Sequence, residues 1–257
     1  MRKATALSAT ALALLVALAP VATAQTVPTA PAAAAAAATP ALTVDDIIAR
    51  NLATKGGDKW KTIQTQKMTG VATAQGFELQ MIVYGKRPNV SRQELTLEIP
   101  GQPAVTIVTL FDGTTAWTIN PMTGSDVPQQ VPAAENATAK VQSDFDGALF
   151  DYKAKGYTVE LLDKMAVAGK QAHHLKVTRA DVPTQHYYLD PETFVELKVA
   201  TEGAAASDTE LSDYRAIDGI MVPHVIKISQ GGMVQAELRI LKVEFNVPLD
   251  DALFRVK

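Results

Sequence analysis

Cysteine is absent from the 257 residues. That removes disulfides, thiolate nucleophiles and every cysteine-ligated metal site, so a folded chain has to be held by its core alone. At 47% hydrophobic residues this is feasible. Aromatic residues are scarce, at 6%. There is no surplus of positive charge either: 24 Lys and Arg stand against 27 Asp and Glu, which argues against nucleic acid as a partner. No GxSxG elbow occurs, and no glycine-rich phosphate loop follows a strand. No apolar run is long enough to span a bilayer comfortably.

The most pronounced apolar run opens the chain. Arg2 and Lys3 precede an Ala/Leu/Val stretch that ends at Pro20, and Ala22-Thr23-Ala24 supplies small residues in cleavage positions. This predicts an export signal over residues 1–24, cleaved after Ala24, and a periplasmic or secreted soluble protein. No cysteine follows the cleavage site to carry a lipid anchor. Without Arg2 and Lys3 the basic count falls to 22 against 27 acidic residues, a formal charge of −5. Residues 25–41 read QTVPTAPAAAAAAATPA, which has no amphipathic pattern and predicts a flexible Ala/Pro linker. Residues 42–257 are then one domain.

Within that domain the dominant pattern has a period of two. In FELQMIV, Phe77, Leu79, Met81 and Val83 alternate with Glu78 and Gln80, as on a half-buried strand. Similar runs cover 62–74, 91–99, 104–111, 116–119, 157–166, 172–178, 185–189, 195–200, 210–216, 221–229 and 235–245. Turn pairs such as Asp112-Gly113, Asp218-Gly219 and Gly231-Gly232 separate them. Two helices are predicted. One starts at the cap Thr43, carries Val44, Ile47, Ile48 and Leu52 on one face, and ends at Gly56-Gly57. The other covers 134–150, with Val141, Phe145, Ala148 and Leu149 as its apolar stripe. The class is α+β, with a long antiparallel sheet that has to curl.

Candidate chemistry is sparse. His173 and His174 are adjacent on a predicted strand, so they point to opposite faces and cannot grip one ion. A partner from another strand, His186 or His224, leaves a metal site open. Asp144-Phe145-Asp146-Gly147 lacks the later acidic ligands of a calcium loop and reads as a turn. Serine hydrolysis built from distant residues also stays open. Asn89-Val90-Ser91 and Asn136-Ala137-Thr138 match glycosylation sequons by chance. No catalytic residue, metal or cofactor is assigned.

Three stretches carry a family resemblance. DYRAIDGIMVPHVIKI from Asp213, the opening DIIARNLATKGGDKWKTIQTQKMTG from Asp45 and the closing VEFNVPLDDALFRVK from Val243 resemble periplasmic outer-membrane lipoprotein-sorting proteins of the Lol carrier type. The resemblance implies an unclosed β-barrel, a strongly curved antiparallel sheet with two or three helices covering its concave face, and a cavity for acyl chains. It implies a monomeric, non-enzymatic carrier that moves a lipoprotein or other acylated amphiphile from a membrane-bound donor to an acceptor. The same fold type also serves envelope-stress or lipid-sensing regulators, so sensing is the alternative. The lining it implies comes from alternate strand positions. These are Phe77, Leu79, Met81 and Val83, then Ile107, Phe111 and Trp117, then Tyr187 and Leu189, and last Val222, Ile226, Leu238 and Ile240.

Overall fold

Thirteen antiparallel strands form one curved, unclosed sheet. The computed structural model describes residues 42–203 and 206–256, so the expected signal and linker lie outside the described residues. In chain order the strands are β1 (Thr65–Ala74), β2 (Phe77–Lys86), β3 (Val90–Leu97), β4 (Val105–Phe111), β5 (Ala116–Asn120), β6 (Ser125–Gln130) and β7 (Thr158–Val167). Then come β8 (Lys170–Arg179), β9 (Val182–Leu189), β10 (Glu196–Thr201), β11 (Ser207–Ile217), β12 (Ile220–Gln230) and β13 (Met233–Phe245). Their order across the sheet is β6-β5-β4-β3-β2-β1-β13-β12-β11-β10-β9-β8-β7. Consecutive strands are joined by hairpins, apart from the long 131–157 connection and the pairing of β1 with β13.

Among the described residues three α-helices accompany the sheet: α1 (Val44–Thr54), α2 (Asp58–Lys61) and α3 (Ala133–Gln142). Thr43 caps α1 as its sequence predicts. Its hydroxyl oxygen accepts the Asp46 amide N–H at 3.2 Å, while the Asp46 carboxylate accepts the Thr43 amide N–H at 3.0 Å. Ile47 and Ile48 on the apolar face of α1 are buried. The predicted helix over 134–150 stops at Gln142, and residues 143–157 continue as turns, with Gly147 and Asp151 at positive φ. Phe145, Ala148 and Leu149 are still buried, so the apolar spacing there reported burial rather than helix. Strand β6 was not predicted. Pro128 and Asp126 mask it, and it lies at a sheet edge, where a proline costs no ladder hydrogen bond.

One row of directly opposed residues defines the concave face. Leu175, Tyr187, Val199, Thr209, Ile228, Ala236, Ala74 and Phe77 follow one another from β8 to β2, and α1 packs on the β8 and β9 end of it. A second row runs Ile240, Gly70, Met81, Leu95, Ile107 from β13 to β4. Helices α1, α2 and α3 lie on this side.

Candidate functional site

The concave face divides into a solid half and an open half. Beneath α1, the side chains of Leu175, Val177, Tyr187 and Leu189 meet Ile47, Ile48, Leu149, Tyr157 and Phe194 in a filled cluster. Tyr187 and Leu189, expected as lining, belong to this core at 8% and 0% exposure. Burial raises the Tyr187 hydroxyl pKa above its usual range, and the nearby Glu196 charge adds to the effect.

Over β12, β13, β1, β2, β3 and β4 the packing is different. Ala72, Met81, Ile240 and Val243 form a thin buried layer, against which Met68, Val83, Leu95, Val222 and Leu238 are only half-buried. Ile107 and Ile226 are half-buried too. Leu79 and Phe111 are buried, and Phe77 stands 52% exposed at the rim. Twelve of the thirteen expected lining residues therefore share the concave face, since directly opposed residues lie on one side of a sheet. Trp117 does not. It pairs with Leu110, which pairs with Arg92 and then Tyr84, and Tyr84 faces away from Met81. The four residues 112–115 of the β4–β5 turn place Ala116 opposite Phe111, so the next residue, Trp117, falls on the outer face.

Helix α3 spans the gap between the two ends of the strand order. The Asn136 amide oxygen accepts the Ala116 N–H at 2.6 Å at the β4–β5 turn. Lys140 donates to Asp181 at 2.6 Å at the β8–β9 turn. Between α3 and β2–β4 lies a cavity of about 180 Å3, bordered by Val83, Gln93, Thr109, Phe111 and Ala139. Only Val141 of α3 is buried. The asparagines of the two sequon matches serve the fold here: Asn89 donates to the Gly113 carbonyl at 3.2 Å and Asn136 to the Thr114 carbonyl at 3.3 Å.

The histidines separate as the strand period requires. His173 faces inward opposite Leu189 and stacks on Phe194, ring centroids 5.4 Å apart. His174 faces outward against Tyr188. Its Nε2 lies 2.8 Å from His186 Nδ1, and His186 Nε2 lies 2.8 Å from Glu202. The two rings bond each other directly, and among the described residues no cluster of three His, Asp or Glu could hold a metal ion. Burial, above all, lowers the pKa of both His173 and His174. The segment Asp144 to Gly147 is a turn, with Asp144 held by Lys155 at 2.7 Å and Asp146 by Arg87. Among the described residues no helix is long and apolar enough to cross a membrane.

No protein-family model and no curated protein matches the sequence. Solved structures do match in shape. A LolA superfamily protein from Nitrosomonas europaea aligns over 84% of this chain and 98% of its own, at 15% identity and a TM-score of 0.55. An outer membrane lipoprotein-sorting protein domain from Vibrio parahaemolyticus aligns over 82% and 97%, at 13% identity and 0.54. A DUF1329 family protein from Desulfovibrio piger covers the same shares, at 13% identity and 0.57. With its curved open sheet and its helices on the concave side, the chain has the fold of the lipoprotein-sorting, LolA-type proteins.

Proposed function

We propose that this protein is an exported carrier that holds the acyl chain of a lipoprotein or other amphiphile against the open half of its concave face and passes it across the periplasm. The observation that carries this reading is the apolar surface left half-exposed on that face, at Val83, Leu95, Ile107, Val222, Ile226 and Leu238, while the other half is packed solid. Burying a chain there is worth roughly 0.8 kcal/mol per methylene against water. A bilayer offers the tail nearly the same gain, so hydrophobicity alone cannot extract it. Loading therefore needs a membrane-bound donor, and release needs an acceptor with a better-lined site. The reading uses no cofactor and no catalytic group, and treats the protein as a monomer.

The 180 Å3 cavity under α3 is smaller than the usual few hundred Å3 of a ligand site. A long chain must then displace α3, whose ends are held by polar contacts at Asn136 and Lys140 and whose buried apolar contribution is Val141. Native mass spectrometry of protein purified from its exported form without detergent tests the proposal. Acylated adducts that disappear in an Ile226→Asn, Leu238→Asn variant are expected. Bare protein that also fails to bind a fluorescent fatty acid would refute it.

A further inference from the structure

The outer face carries a larger cavity that acyl binding on the concave face leaves unused. It measures about 480 Å3 and lies between the outer side of β3–β6 and the returning carboxy-terminal residues. Leu110 and Trp117 form its floor, with Leu253 and Val256 facing them. The Trp117 indole N–H donates to Asp112 at 3.0 Å, which fixes the ring. Four charged side chains reach the cavity: Arg92, Arg255, Asp126 and Asp250. Two of these are already committed. Arg92 donates to Glu94 at 2.6 Å and to the Leu253 carbonyl at 3.3 Å, and the Asp250 carboxylate accepts the Ala252 N–H at 2.9 Å. Arg255 and Asp126 are exposed, and the charge of Arg255 also acts on Asp251, whose carboxylate is paired with Lys86.

We propose that this cavity binds a single-chain amphiphile with a zwitterionic head, its tail against Leu110 and Trp117 and its head between Arg255 and Asp126. An anionic head would satisfy Arg255 and meet Asp126 with like charge, and a cationic head would do the reverse. A head that carries both signs satisfies both. The apolar floor and facing wall remove the chain from water, as in ligand sites generally, where a few polar groups set orientation. The site lies across the sheet from the concave face, so it stands or falls separately from the carrier reading.

The chain has two tryptophans, and nitrogen-15 NMR of the full protein reads both indole N–H signals; the one that survives Trp60→Phe belongs to Trp117. Dodecylphosphocholine, dodecanoate and dodecyltrimethylammonium are titrated, each below its micelle concentration. A saturable shift of the Trp117 signal is expected, with a midpoint at least fivefold lower for the phosphocholine than for either singly charged probe. Arg255→Glu, on an exposed side chain, should raise the phosphocholine midpoint at least fivefold, and Ile226→Asn on the concave face should leave it in place. The inference is overturned by a Trp117 signal that does not saturate, by either singly charged probe binding as well as the zwitterion, by indifference to Arg255→Glu, or by loss of the response with Ile226→Asn.

Discussion

Gly70 stands where β1 and β13 fall out of step: Thr69 faces Lys242, Gly70 faces Ile240, and Leu241 is left as the extra residue of a bulge. A Cβ added at Gly70 would lie 2.1 Å from the Arg239 carbonyl oxygen, and backbone cannot yield as a flexible side chain can. Gly70→Ala should therefore lower stability by about 3 kcal/mol, the upper end for overpacking, measured as the shift of the urea midpoint at constant slope. An unshifted midpoint would mean that the bulge tolerates a side chain. His173 makes a different prediction. Burial first, then the charges of Lys164 and Arg50, lower its pKa below the ordinary 6.5. A group neutral in the fold and more easily protonated when unfolded costs stability as pH falls, so the loss begins near pH 6.5 and continues down to the lowered folded value. Urea midpoints at pH 7.5 and 5 should differ, and His173→Leu should reduce the difference. Equal slopes in both proteins would contradict this. The opposite pointing of His173 and His174 was readable from adjacency alone, whereas the contact of His174 with His186, and of His186 in turn with Glu202, depends on a strand register no single segment encodes.

At the scale of elements, Arg87 latches the 143–157 segment of the cover to the sheet. Arg87, at the end of β2, donates to the Asp146 carboxylate and to the Trp60 carbonyl at 2.9 Å, and its guanidinium lies 4.8 Å from the Phe145 ring centre. Its side chain is 17% exposed and that of Asp146 is 14%. Removing the cation leaves the Asp146 carboxylate with little water and only the Trp60 indole N–H, at 2.8 Å, as a side-chain donor among the described residues, so Arg87→Ala should cost about 3 kcal/mol. Arg87→Lys should recover only part of this, because one ammonium cannot serve the same set of acceptors. Hydrogen exchange in residues 143–157 should quicken in both variants, and wild-type protection in Arg87→Lys would show that the fork is dispensable. The strands were legible because alternation is a local signal, and α1 because its cap and apolar face agree. The end of α3 was not, since Phe145 and Leu149 keep helical spacing while sitting in turns. The side taken by Trp117 depends on the length of the preceding turn, and alternation within β5 cannot supply it. The outer cavity was invisible for a related reason: it forms only when residues 250–256 fold back over strands more than a hundred residues earlier in the chain.

For the whole molecule, period-two patterning over a long antiparallel sheet with amphipathic helices leads to a curled sheet covered on one side. That much could be read in advance. How far the cover reaches could not, because filled and open halves are built from the same alternation of apolar residues. The division between them is the central claim, and asparagine substitution on each half measures it directly. Leu175, in the solid half, is 0% exposed. Leu175→Asn should bury an amide without a partner and cost roughly 1 to 3 kcal/mol, with fatty-acid affinity little changed in the protein that remains folded. Ile226, in the open half, is half-buried, so its amide reaches water. Ile226→Asn should leave the unfolding midpoint nearly in place and weaken binding of a fluorescent fatty acid severalfold. Equal losses of stability at both positions, with no fatty-acid binding by the unmodified protein, would show a sheet packed solid from edge to edge and contradict the account.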